Sequence, residues 1–448
     1  MFADNCLKTD LYELTMAAGY YQNKVDLRAV FELFCYKAPL NRSYFVACGL
    51  EQAVNYILSL RFSGQDVDFL RNQPVFRTVK PGFFEYLRNF RFSGNVWAMK
   101  EGEIFFPNEP IIQVEAPIIE AQILETYLLS IVHIQTLTAT KACRVVQAAN
   151  RGRKKRGVVD FGSRRAHGPE AAALAARAAY IGGCIGTSNV YAGKMFNIPV
   201  FGTMAHSWVS AFDNEEEAFL KYYEVFPENT VLLIDTYDTV KGAKKAVKLE
   251  KDINGVRLDS GDIEVLSKKV RKILNKCKLN NAKIIASGNL NEYKIEKLIK
   301  KKAPIDIFGV GTDMVTSRDL PSLDLVYKLV QIEDKDSNIK FKAKRSKGKV
   351  MIPAKKQVFR KYARNGLFAK DIIGLFSQEA PRDAQPLLTQ VIKDGQLAGG
   401  LPNTATVRNY AQKRLSLLPK SCCNVHHSRY LKTVFSKELK LIWGQRPS

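Results

Sequence analysis

The sequence predicts an α/β protein: an incomplete parallel α/β barrel of about seven strands, flanked by an α+β sandwich-like domain built from both chain ends. Three observations carry this expectation. Between residues 157 and 312, seven short apolar runs each end in a polar or glycine-bearing turn: VVDFGSRR, GGCIGTSN, PVFGTMAHS, VLLIDTYD, GVRLDSGD, KIIASGN and IDIFGVGT. The run ends recur roughly 16 to 33 residues apart with helical patterns in most gaps, and repeated βα units with chemistry-bearing residues past each strand mark a parallel barrel. The two flanks lack this rhythm and show strand-length apolar runs instead. A doubly wound sheet would use the same units, but one first-turn fingerprint should then dominate, and here every turn carries polar groups.

Along the chain, Asp10 to Tyr21 is apolar at Leu11, Leu14 and Ala18 and reads as a short helix with Thr9 as its N-cap. RAVFELFCY, NVWAMK, GEIFF and PIIQVEA read as strands punctuated by Gly94, Gly102 and Pro110. Pro117 opens a long helix, apolar at 118, 121, 124, 128 and 131. Beyond 324, LDLVYKLVQI, NIKFKAK and KQVFRKYA return to strands, followed by a helix near Thr404 to Leu415 and a basic tail. The expected domains are 1–135, 136–320 and 321–448, with the last packing on the first because neither has an obvious core alone.

A chain of 448 residues with 46% hydrophobic and 25% charged residues is an ordinary globular composition, which excludes wholesale disorder. The most apolar stretch, 111–134, is interrupted by Glu115, Glu120 and Glu125, so no membrane span is expected. The start, MFADNCLKTD, has neither a basic n-region nor an apolar h-region, and eight dispersed cysteines read as reduced thiols; a cytoplasmic protein is expected. The net charge of +24 attracts polyanions, either nucleic acid or a phosphate-rich small substrate. The basic clusters (151–156, 268–278, 294–302, 340–349) recur largely at helical spacing, as solvated helix faces do. Nucleic-acid recognition predicts aromatic-basic interleaving or a reading helix; neither is present, so no specific nucleic-acid partner is expected.

The turns hold the chemistry. Gly309, Gly311 and Thr312 in FGVGT, and Ser287 and Gly288 in ASGN, free backbone N–H groups to approach an anion, as a phosphosugar requires. RLDSGD sets Arg257 and Asp259 two residues apart, on one face of a strand end. There they form either a phosphate clamp with a sugar-hydroxyl acceptor or a plain salt bridge. FGSRRAHG brings Phe161, Arg164 and Arg165 together, which suits a flat anionic aromatic ligand or an arginine pair at a helix start. Of five histidines, His206 in GTMAHSW is best placed for catalysis, just past a strand. His167 follows the arginine pair, His133 sits mid-helix as a polar core or surface residue, and CCNVHH near the C-terminus lacks zinc-site spacing.

Together with TDLYELTMAAGYY, FELF, ATKACRV, GGCIGTSNVYAG, FGVGTDMVTS and KQVFR, these motifs run in order from residue 9 to 415 and resemble the nicotinate phosphoribosyltransferase family. The resemblance implies a homodimeric enzyme of NAD biosynthesis by nicotinate salvage. It would make nicotinate mononucleotide and pyrophosphate from nicotinate and phosphoribosyl pyrophosphate, coupled to hydrolysis of ATP as co-substrate, with Mg²⁺ as cofactor. It implies that His206 is phosphorylated by ATP, with Ser207 beside it in substrate binding. Arg257 and Asp259 would grip ribose phosphate and hydroxyls, and Ser287, Gly288, Gly309, Gly311 and Thr312 would cradle the 5′-phosphate. Phe161 would stack on the ring and Arg164 bind its anion, while Tyr12 would enter the partner subunit's site; Lys328 and Arg360 would also reach across the dimer. The related nicotinamide enzyme carries an aspartate where Ser188 stands here, and a neutral Ser188 suits the acid substrate. Ala354 in place of a glycine and Cys143 in place of an alanine depart from the family pattern, and the tail from Ser416 matches nothing in it.

Overall fold

The structure is a computed structural model describing residues 6–37, 39–343, 345–346, 349–427 and 429–444. The chain divides into two compact units: Leu137–Pro321 with Asn403–Asn409, and Met1–Thr136 with Ser322–Pro402 and Tyr410–Ser448.

In the unit around Leu137–Pro321, six strands form one parallel sheet: β1 (Gly157–Asp160), β2 (Gly186–Thr187), β3 (Val231–Leu233), β4 (Gly255–Leu258), β5 (Lys283–Ala286) and β6 (Ile307–Val310). Their order is β2-β1-β6-β5-β4-β3. The strands are short and apolar because helices cover the sheet. Val158, Leu232, Leu233, Val256, Leu258, Ile284, Ala286, Phe308 and Val310 are all buried in one cluster. The connecting helices are amphipathic: in Ile263–Lys276, Val270 and Leu274 face inward while Lys268, Lys269 and Lys272 are exposed. Asp238, Asp262 and Asn291 cap three of these helices, each side chain accepting from the backbone N–H three residues on.

The seventh expected strand, PVFG, does not form. Val200 makes a single parallel bridge to Thr187. Pro199 has no N–H to donate, so the contact is limited to Thr187 N donating to Pro199 O (3.1 Å) and Phe201 N donating to Thr187 O (2.9 Å). Gly186 permits this approach: a Cβ there would lie 2.3 Å from Pro199 O.

In the other unit a seven-stranded sheet interleaves both chain ends, with strand Leu27–Cys35 antiparallel to Leu325–Asp334 on one side and to Pro110–Pro117 on the other. A four-stranded sheet includes Lys356–Tyr362 and Phe368–Leu375. The first helix is Leu11–Gln22, and its N-cap position is Asp10 rather than Thr9. The Thr9 hydroxyl instead donates to Glu13 (2.6 Å). The helix expected from Pro117 is two, Ile118–Gln122 and Glu125–Ala149. Glu13 accepts the Thr126 N–H at the start of the second (2.9 Å), satisfying an amide that a helix leaves open there.

Arg360 is fully buried within its own chain, so it does not reach across a dimer. Asp371 and Glu103 (2.7 Å) enclose its guanidinium, and together they outweigh the burial that would otherwise favour its neutral form. His133 is structural: its Nε2 accepts the Leu323 N–H (2.9 Å), and burial pushes its pKa down. All eight cysteines are free, and no helix among the described residues is long and apolar enough to cross a membrane.

Candidate active site

A cavity of about 630 Å³ opens among the segments that follow the carboxyl ends of the parallel strands. It is lined by Phe161, Arg164, Arg165, Ser188, His206, Arg257, Asp259, Ser287, Gly288, Gly309, Gly311 and Thr312, and so gathers twelve sequence-nominated residues at one place. Carboxyl-end placement is the general rule for ligand sites in parallel α/β sheets.

Arg257 and Asp259 stand at the centre. Arg257 leaves β4 and spends its guanidinium on four neighbours: Ser287 Oγ (2.9 Å), Thr203 Oγ1 (3.1 Å), Met204 O (3.3 Å) and Asp259 Oδ1 (2.8 Å). The Phe161 ring lies under it, 5.6 Å from the guanidinium carbon. Ser287 also donates to Asp259 Oδ1. Burial opposes ionisation of Asp259, but the hydrogen bonds from Ser287 and Arg257 and the charges of Arg257 and His206 outweigh it and hold the carboxyl below its usual range. Both readings of the pair therefore have a basis: it is a salt bridge, and it faces a cavity.

Asp235, at the end of the β3 segment, accepts the Asp259 N–H (2.9 Å) and the Ser260 hydroxyl (2.6 Å) with one oxygen. Its other oxygen is buried with no hydrogen-bond partner. The next residue, Thr236, meets His206 Nδ1 through its hydroxyl (3.1 Å). His206 is exposed and opens the short helix His206–Ser210.

The glycines are required by close approaches. A Cβ on Gly288, at φ +89°, would lie 1.9 Å from Asp259 O, and one on Gly309 would lie 2.4 Å from the Phe161 ring. Beneath them Asp160 holds the first turn, accepting from the Gly162 N–H (2.9 Å) and the Thr187 hydroxyl (2.7 Å). These two bonds make Asp160 a structural latch for the Phe161–Arg165 turn, while burial raises its pKa.

Two nominated residues do not line the cavity. Ser207 is exposed on the helix beyond His206, and Tyr12 belongs to the other unit, on helix Leu11–Gln22. His167 is exposed and also lies off the lining. The sequence reading left out Ser163, Thr203 and Asn289 as lining residues and Asp235 as a support. Each sits inside a quoted motif, but only long-range contacts reveal its part. With Arg164, Arg165 and Arg257 against Asp259, the cavity favours anions.

Residues 7–133 match the model of the nicotinate phosphoribosyltransferase (NAPRTase) N-terminal domain, and 157–367 that of the nicotinate phosphoribosyltransferase (NAPRTase) family. A nicotinate phosphoribosyltransferase of Mycobacterium tuberculosis is 43% identical over 95% of this chain and 90% of its own length. One from Bacillus subtilis is 39% identical over 92% of this chain and 89% of its own. The crystal structure of human nicotinic acid phosphoribosyltransferase superposes with a TM-score of 0.83 at 27% identity, covering 97% of this chain and 99% of that one. Matched across nearly its whole length, the chain belongs to the nicotinate phosphoribosyltransferase family.

Proposed function

We propose that this protein joins nicotinate to phosphoribosyl pyrophosphate, forming nicotinate mononucleotide and pyrophosphate, in the salvage of nicotinate for NAD. The observation that carries this reading is the conjunction, in one cavity, of glycine-lined turns, the Arg257–Asp259–Ser287 cluster and an aromatic ring beside two arginines. The pyridine nitrogen lone pair forms a C–N bond at the anomeric carbon as the C–O bond to pyrophosphate breaks. Positive charge grows on the ribose, next to ionised Asp259, and negative charge grows on the leaving group. Gly309, Gly311, Thr312, Ser287 and Gly288 cradle the 5′-phosphate. Phe161 stacks on the ring while Arg164 meets its carboxylate.

Mg²⁺ fits this site as a companion of the diphosphate. Mg²⁺ typically uses one or two carboxylates plus substrate oxygens, and no three potential ligands converge among the described residues. Asp235, with its unpartnered buried oxygen, and Asp259 would hold it. Bound there, it would neutralise charge on the departing pyrophosphate.

ATP would serve as co-substrate through His206. Nδ1 rests against Thr236, so Nε2 is the nitrogen to form the P–N bond to the γ-phosphate, releasing ADP; water later cleaves it to phosphate. Ser207, next to it, would assist substrate binding. We further infer that the parallel sheet curls into an incomplete barrel flanked by a sandwich-like domain. The enzyme would work in the cytoplasm as a homodimer in which Tyr12 and Lys328 reach the partner's site. Tyr12, Leu11 and Met16 are exposed apolar residues of one helix, as an interface needs. Product analysis with nicotinate, nicotinamide and quinolinate, each with phosphoribosyl pyrophosphate and with or without ATP, tests the reading. A clear preference for any substrate but nicotinate overturns it.

A further inference from the structure

The parallel sheet has a second, basic end. The cavity uses the segments after the strands, whereas the segments leading into β1, β6 and β5 lie at the opposite end of three neighbouring strands. Those segments are RGRKKR (151–156), KKKAPID (300–306) and KCKLNNAK (276–283). They carry eleven Lys and Arg against a single carboxylate, Asp306. Strands about 4.8 Å apart bring the three starts within roughly 10 Å, and contacts tie the segments together. Arg156 Nε donates to Ile305 O (3.0 Å), while Asp306 meets Lys154, Arg271 (3.3 Å) and the Ile284 N–H (2.8 Å).

Local acids neutralise this rim only in part. Asp306 is fully engaged, and Glu296 on the preceding helix meets Arg151 and Lys300 (3.2 Å). Arg153, Lys155, Lys276, Lys278, Lys283, Lys301 and Lys302 are all exposed. Crowding so many exposed like charges together raises a positive potential, and a polyanion bound there lowers it.

We propose that this rim is a binding surface for the phosphate backbone of double-stranded nucleic acid, without sequence readout. Chemistry selects this partner over others. Single strands are held by stacking on exposed aromatic rings, and the rim offers none among its exposed large apolar residues. A membrane-seated surface adds apolar side chains that enter the lipid, and these are missing from it too. What remains is pure charge along a short arc, the requirement for duplex phosphates. The proposal does not depend on the catalytic reading, since the cavity lies at the other end of the strands.

The test is fluorescence anisotropy of the full chain with a labelled random-sequence duplex across a salt series. With about six phosphates neutralised, log Kd should rise with log salt at a slope of about 5. Reversing Arg153, Lys155, Lys278 and Lys301 to Glu should weaken binding at least about tenfold at roughly 100 mM salt. The same number of reversals on the other unit (Arg77, Lys335, Arg364 and Lys393 to Glu) should leave it within about threefold. A milder quartet to Gln, with unchanged circular dichroism and nicotinate turnover, guards against a folding defect. Absence of saturable binding, a slope below about 1, or equal loss in the control quartet overturns the proposal. Equally tight binding to phosphatidylserine vesicles or poly-glutamate does the same.

Discussion

Replacing Gly288 by Ala should disable the active site while leaving the chain folded. The Cβ would lie 1.9 Å from Asp259 O, and contacts below 3.0 Å force something to shift, so the 287–289 turn must retreat by about 1.1 Å. The obstacle is backbone, which cannot rotate away, and the φ of +89° adds strain of about 1–3 kcal/mol for a residue with a side chain. The retreat pulls Ser287 from Asp259 and Arg257 together, since its hydroxyl serves both. A misplacement of about 1 Å typically costs about 100-fold in rate. Gly202→Ala is the internal control: Gly202 lines the same cavity, yet nothing stands within 4 Å of its virtual Cβ. We expect kcat/KM for phosphoribosyl pyrophosphate, measured by nicotinate mononucleotide formation, to fall about 100-fold for Gly288→Ala and less than about threefold for Gly202→Ala. Thermal unfolding should remain cooperative in both. Wild-type kinetics for Gly288→Ala would refute the claim that the close approach of the two turns positions the substrate.

Other consequences are equally accessible. Ser188→Asp should weaken nicotinate binding by like-charge repulsion, by a few kcal/mol at an effective dielectric of about 20, seen as a raised KM that nicotinamide does not share. His206→Asn should abolish both incorporation of labelled γ-phosphate and ATP hydrolysis while sparing slow synthesis without ATP; hydrolysis still in step with product would point to another nucleophile. Inactive Tyr12→Ala and His206→Ala chains, mixed under conditions that exchange subunits, should regain activity if each site draws on two chains, and no regain would confine Tyr12 to its own chain. Because the Asp259 carboxyl is held below its unfolded value, its stabilising contribution is present above about pH 4 and is lost as pH falls through the native value. The stability gap between wild type and Asp259→Asn, followed by urea unfolding, should therefore shrink on acidification; a gap that widens would contradict the sign.

Most of the residues lining the candidate cavity could be read from the sequence because strand ends in a parallel sheet concentrate polar residues in short motifs. DFGSRR, RLDSGD, ASGN and FGVGT each keep an apolar run next to the groups it delivers. What escaped depends on contacts distant in sequence. Asp235 lies within LLIDTYD, but its task of holding the Asp259 amide is set by the pairing of neighbouring strands. Thr203 follows a run that reads as a strand, yet Pro199 limits that run to one bridge, so its hydroxyl is free to reach Arg257. Arg360 misled for the opposite reason. The resemblance of KQVFR places it across a dimer, and only the fold brings Asp371 and the remote Glu103 to both sides of it.

The four partners of Arg257 have a consequence for how the pocket handles competitors. An arginine already satisfied by Asp259, Ser287, Thr203 and Met204 offers an arriving anion an exchange of hydrogen bonds rather than new ones. A lone inorganic phosphate gains little from such a trade. A ligand that engages the glycine turns and the aromatic ring in the same event can offset the rearrangement through its other contacts. At Arg257 the resting cluster thus sets a threshold, favouring a ligand large enough to make several contacts in one event over a small anion that meets the guanidinium alone.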